Sequence, residues 1–170
     1  VRHITKEAFK AAEYISVRDC KSKEFINAAF DNENPIVTVC PDSVCCMPQL
    51  ISSEYLADVR KDVLPFEQKY AVLQFNPQRP NLETEDLLKV IKRLSSADMK
   101  VVLLPLGYTH NDDNVLNAYN SENGNLCFVL GKKLNIFEMA AVLAGCEIYI
   151  GASFHGAITA IAYGNVAFSY

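Results

Sequence analysis

The stretch "EIYIGASFHGAITAIAYGNVAFSY", residues 147–170, decides how the chain is read. An apolar run from Glu147 to Ile150 meets Gly151, and a short turn carrying Ser153 and His155 leads into small and apolar residues at helical spacing. Gly164 ends that run and a second apolar run begins. This pattern predicts strand, turn, helix, strand. Ser153 is the natural N-cap, which puts His155 in the first helical turn. Small residues at 156, 157, 160 and 162 let the helix lie close to a sheet, and Gly164 is placed as the C′ glycine.

The same alternation runs outward through residues 70–170. "YAVLQF" (70–75) reads as a strand, and "ETEDLLKVIKRLSSA" (83–97) as a helix with apolar residues at 87, 88, 90, 91 and 94 and Thr84 as its cap. "KVVLLPLG" (100–107) reads as a strand covered on both faces. A helix over "NDDNVLNAYN" (111–120), a strand over "LCFVLG" (126–131) and a helix over "NIFEMAAVLAGC" (135–146) with Asn135 as cap complete the series. The expected fold is α/β, a Rossmann-like doubly wound sheet of mostly parallel strands. Upstream, strands at 14–17 and 35–40 flank a helix at 21–30, capped by Ser22. Prolines at 41, 48 and 65 break the pattern. Residues 41–65 are therefore the linker candidate, with room for a short helix.

The 170 residues are half apolar and 21% charged, with a net charge of −4. That is a globular composition with no basic stripe, which argues against a nucleic-acid partner. No apolar run approaches the roughly 20 residues of a membrane span. The six cysteines form no CxxC pair. They read as free thiols of a reducing, cytoplasmic compartment, buried at Cys40, Cys127 and Cys146. The chain does not begin with Met and stops within a strand-like run, so a fragment of a longer protein is expected.

Ligands of such sheets bind beyond the carboxyl ends of the strands. Arg18, Asp42, Asn76, His110 and His155 each follow a predicted strand. Arg18 can grip an anion bidentately or form a surface ion pair with Asp19. Asn76, with Gln78 nearby, suits a sugar. His110 precedes Asp112 and Asp113, which also read as helix-capping acids. Amides of Gly151, Ala152 and Ser153 at a helix N-terminus suit a phosphate or carboxylate, and the plain alternative is a helix start with no ligand. GxGxxG is absent, and no spaced partners complete a metal site around the acids, so neither dinucleotide nor metal is expected.

In order along the chain, "YISVRDCKS" (14–22), "VTVCPDSV" (37–44), "VVLLPLGYTHNDD" (101–113) and "IGASFHGAITAIAYGNVAFSY" (150–170) resemble the polysaccharide pyruvyl transferase family. The resemblance implies a two-domain, GT-B-like fold: the end of a first Rossmann-like half at 1–45, a linker at 46–67 and a second Rossmann-like domain at 68–170, with most of the first half and the C-terminal end lying outside this chain, and a fragment inactive by itself. Bacterial members move pyruvate from phosphoenolpyruvate onto two hydroxyls of a sugar, making a cyclic ketal, with no other cofactor. The implied partners are phosphoenolpyruvate and a sugar or lipid-linked oligosaccharide acceptor, which would bring the protein to the membrane surface peripherally. Many members are similar to Arg-x-His at the final turn. Here the triplet is Ser153-Phe154-His155. His155 carries over as catalytic residue, while Arg18, Asn76, His110, Gly151, Ala152 and Ser153 are the candidate substrate contacts and Arg18 the candidate replacement for the missing arginine. A nucleotide-sugar glycosyltransferase and a non-catalytic anion-binding domain remain the alternatives.

Overall fold

The computed structural model describes residues 2–30, 36–75, 84–107 and 111–169, with backbone alone for residues 2–6 and 84. It divides into two compact units, residues 1–43 and 44–170.

The first unit holds α1 (Arg2–Ala11), β1 (Ile15–Val17), α2 (Cys20–Ala29) and β2 (Val37–Val39). β1 and β2 pair in parallel, with Ile15 opposite Val37. Among its described residues Ile15, Phe30 and Val37 are the buried apolar ones, and Phe9 meets the Phe30 ring edge-on at 5.7 Å. α2 starts earlier than the sequence suggests. Asp19, not Ser22, is its N-cap: the carboxylate accepts from Ser22 N, and the Ser22 hydroxyl donates back to it, both at 2.8 Å. These hydrogen bonds, that from Ser22 N above all, hold the exposed Asp19 carboxyl below its ordinary pKa.

The second unit begins with a 3-10 turn at Ser43–Cys46 on its boundary, followed by α3 (Met47–Leu50) and α4 (Ser53–Lys61). Residues 46–67, expected as a linker, therefore carry helices of this unit. Ser52 caps α4, and Leu56 on its inner face is fully buried. Then come β3 (Tyr70–Gln74), α5 (Thr84–Ser96), β4 (Lys100–Leu103), α6 (Asp112–Glu122), β5 (Phe128–Val129), α7 (Ile136–Ala144), β6 (Ile148–Gly151), α8 (Phe154–Ala162) and β7 (Val166–Ser169). The five strands order as β5-β4-β3-β6-β7, every pair parallel.

Alternate residues of the central strands face opposite ways, so two cores form. Tyr70, Val72, Val102 and Tyr149 pack with Val142, Leu143, Ala157 and Ala160 of α7 and α8. Leu73, Val101 and Leu103 pack with Leu87, Ile91 and Leu116 of α5 and α6. Helices on both faces make this a doubly wound sheet.

Local chemistry sets the ends. Asn135 caps α7 in a reciprocal capping box with Glu138. Ser153 caps α8 through Gly156 N, and Gly164 closes it at φ +86. Gly164 N bonds Ile161 O and Asn165 N bonds Ala160 O, the paired bonds of a Schellman ending. Two strands are shorter than their apolar runs. β4 stops at Leu103, and Pro105, two residues on, has no N–H to extend the ladder. β5 shrinks to two residues because the Asn120 side chain takes both backbone groups of Cys127, at 2.9 and 3.0 Å. Cys127 is half-buried and Cys146 buried, but Cys40 is exposed, since β2 ends one residue before it.

Candidate functional site

The chain lays down β3, β4 and β5 toward one edge, then crosses back to place β6 on the other side of β3. The crevice at such a reversal, beyond the carboxyl ends of β3 and β6, is where open α/β sheets bind ligands. Gln74 and Gly151 are partners in register at those ends.

Gln74 is buried, with 6% of its surface exposed, and it organises the turn. Its Oε1 accepts from Ala152 N at 3.0 Å and from Ser153 N at 2.9 Å. The Tyr149 hydroxyl reaches the same oxygen at 3.3 Å and Ser153 O at 3.2 Å. Tyr149 is fully buried, and its phenol explains the two glycines that flank the turn. A Cβ on Gly151 would collide with the Tyr149 hydroxyl, and one on Gly156 would stand 2.6 Å from it and 3.0 Å from Leu106 Cδ1. The small residues after His155 thus make room for a tyrosine as well as for close helix packing.

This changes the reading of the turn. The amides of Ala152 and Ser153, expected to face an anion, donate instead to Gln74, and Gly151 is buried within β6. Outward presentation falls to side chains. His155 is exposed at the second position of α8, with the Phe154 ring edge-on at 5.8 Å. Its carbonyl is held by Thr159 Oγ1 at 2.7 Å. Ser153 Oγ accepts from Gly156 N at 3.2 Å, which leaves the hydroxyl proton to donate elsewhere.

At the end of β4, Asp112 is buried and its Oδ2 accepts from Gly107 N at 3.0 Å. It braces the loop, while Asn111 in a left-handed conformation is the cap position of α6. Asn76, Gln78 and His110 lie outside the described residues. In the first unit, Arg18 follows β1 as expected. Its guanidinium sits 3.3 Å from Asp42 Oδ2, so two of the strand-end residues meet each other, and the Arg18 charge also acts on the neighbouring Asp19. Among the described residues, no group of three or more His, Cys, Asp or Glu side chains could hold a metal, and no helix is long and apolar enough to cross a membrane.

Gln74 and Tyr149 were the residues that sequence reasoning missed. The available signal was a glutamine closing an otherwise apolar strand, "YAVLQF".

Among solved structures, the E. coli heptosyltransferase WaaC with ADP-2-deoxy-2-fluoro heptose is similar over 68% of this chain and 36% of its own, at 18% identity and a TM-score of 0.52. The same enzyme with ADP aligns over 59% of this chain and 33% of its own, at 18% identity and a TM-score of 0.46. The first likeness shows a GT-B-like Rossmann fold. The chain spans about a third of the length of these structures. No curated protein matches it in sequence. The family model for polysaccharide pyruvyl transferase matches residues 1–165, and the chain belongs to that family.

Proposed function

We propose that this chain is part of an enzyme that transfers a pyruvyl group from phosphoenolpyruvate to two hydroxyls of a sugar in polysaccharide biosynthesis. The observation that carries the proposal is His155, exposed in the first turn of α8 at the sheet's reversal, in a chain of this family.

The chemistry needs one acid and a holder for the leaving phosphate. A proton added to the methylene carbon of the donor turns that carbon into a methyl group and leaves C2 electrophilic. One sugar hydroxyl attacks C2, the bond from C2 to the phosphate oxygen breaks, and the second hydroxyl closes the ketal. Of the two hydroxyl protons released, one balances the proton taken up by carbon and the other leaves with phosphate. His155 is assigned to acid catalysis and phosphate contact, and Ser153 Oγ to a phosphate oxygen. The positive end of the α8 dipole favours the dianionic leaving group at this place. Gln74 and Tyr149 act through the turn they hold, as positioning residues. Gly151 and Ala152 shape the turn. Arg18, Asn76 and His110 are retained as substrate contacts of the complete enzyme.

In the complete enzyme that contains this chain, replacing His155 with Ala should remove phosphate release from phosphoenolpyruvate while leaving the melting temperature in place, because an exposed side chain contributes little to stability. Wild-type turnover in His155→Ala would take the imidazole out of the mechanism. The likeness to WaaC bound to an ADP-sugar analogue favours one second reading, a nucleotide-sugar glycosyltransferase. Calorimetric titration with phosphoenolpyruvate, ADP, UDP and GDP separates them: heat from phosphoenolpyruvate alone supports pyruvyl transfer, and heat from a nucleotide alone supports the second reading.

A further inference from the structure

The amino edge of the sheet, opposite the His155 turn, holds a cavity of about 570 Å³. Arg60, Lys61, Phe66, Lys69, Gly145 and Glu147 are among its lining residues, all in the second unit. Its volume lies in the range of small-molecule sites.

Arg60 is half-buried near the end of α4. Among the described residues no carboxylate pairs with it. The two acids of the lining are Glu67 and Glu147, and Glu147 is taken by Lys69 at 3.2 Å. The guanidinium lies near the Tyr70 hydroxyl, whose own proton goes to Val142 O at 2.8 Å. A guanidinium has five N–H donors in a planar fork, and Arg60 lines the cavity with donors beyond what Tyr70 can accept.

Gly145 gives a second, independent indication. It caps α7 at φ −100, a conformation that does not require glycine. A Cβ there would run into the Arg60 guanidinium. The missing side chain therefore keeps room for a cation in the cavity wall. Phe66 and Pro65 give the wall an apolar part, and Lys61 and Lys69 stand exposed at its rim.

We infer that this cavity is a second ligand site, which binds a sugar-sized molecule bearing an oxyanion, with Arg60 gripping the carboxylate or phosphate. Fork-shaped pairing of guanidinium with either group is the strong geometry for that contact. The inference does not depend on the donor chemistry at His155.

The test is amide chemical-shift titration of the full 170-residue chain with glucuronate, glucose 1-phosphate and glucose. Saturable shifts at Lys69, Gly145 and Glu147 are expected with one or both anionic sugars and not with glucose. A response to glucuronate alone assigns a carboxylate, and a response to glucose 1-phosphate a phosphate ester. Arg60→Gln should weaken binding about tenfold or more. Arg60→Lys, which keeps the charge and loses the fork, should fall between, and Gly145→Ala should weaken binding by displacing the guanidinium. His155→Ala should leave these shifts as they were. Absence of saturation with both anionic sugars, equal response to glucose, or unchanged affinity in folded Arg60→Gln would overturn the assignment.

Discussion

Gln74 Oε1 stands 2.9 Å from the backbone nitrogen of Ser153, a residue 79 positions later in the chain. With Ala152 N at 3.0 Å, one side-chain oxygen satisfies two adjacent amides that open the turn before α8. The end of β3 therefore sets the backbone of a turn that belongs to β6. Replacing Gln74 with Leu keeps the bulk and strands both donors in a partly buried place. Each abandoned donor costs about 1–3 kcal/mol, so a loss of about 2–6 kcal/mol is expected in urea denaturation. A loss below about 0.5 kcal/mol would mean that the turn holds its shape without the glutamine.

The Tyr149 hydroxyl and the glycines around it give a coupled measurement. Gly156 lies inside α8, where alanine is favoured by about 1 kcal/mol on helix propensity alone. Its added Cβ would meet the Tyr149 hydroxyl at 2.6 Å and the ring carbon Cζ at 2.8 Å, and that ring is fully buried with no room to swing away. Gly156→Ala should destabilise the protein by about 1–3 kcal/mol despite the propensity gain. In a Tyr149→Phe background part of the overlap disappears, so the same substitution should cost less. Additive losses in this double-mutant cycle would show that the crowding lies elsewhere.

Much of this arrangement was legible from residue types. Alternation of apolar strands and amphipathic helices through residues 70–170 gave a parallel sheet covered on both faces. Ser153, Asn135 and Gly164 announced their caps because capping depends on side chains within one turn of the helix end. What stayed hidden is non-local. Nothing near Gln74 in sequence says that its amide reaches residues 152 and 153, and nothing near Tyr149 says that its phenol fills the space above two glycines. The inward use of those amides is why a helix start that reads as an anion nest presents Ser153 and His155 side chains instead. The same limit applies to Cys40: an apolar run beside it suggested burial, but the strand ends at Val39.

The thiols divide sharply by environment. Cys20, Cys40, Cys45 and Cys46 are exposed, whereas burial pushes Cys127 up to about 11 and Cys146 up to about 12. Only the thiolate reacts at a useful rate. At pH 8 a disulfide reagent such as dithionitrobenzoate should titrate the four exposed cysteines of the native chain promptly and Cys127 slowly. Cys146, 2% exposed, should react only as the protein opens, and all six should react in denaturant. Mass mapping that finds Cys146 modified as fast as Cys20 would contradict the packing of α7 against the sheet.

Glu138 links the start of α7 to pH. Its Oε1 accepts from Lys132 Nζ at 2.7 Å and its Oε2 from Asn135 N at 2.8 Å, while Asn135 Oδ1 takes Glu138 N at 3.0 Å. The Lys132 hydrogen bond, then that from Asn135, holds the Glu138 carboxyl below its ordinary value of 4.5. The unfolded chain has no such partners, so its carboxyl takes up a proton first as pH falls. A depressed folded-state pKa therefore contributes stability that is fully present above about pH 4.5 and is lost as pH falls through the lower native value. Glu138→Gln keeps a side-chain acceptor for Asn135 N and removes the titration. The variant should be less stable than wild type at pH 7, and the two should converge as pH drops from 5 to 3, read as denaturation midpoints across that range. Parallel midpoints at every pH would show that the carboxylate charge contributes nothing to the α7 cap.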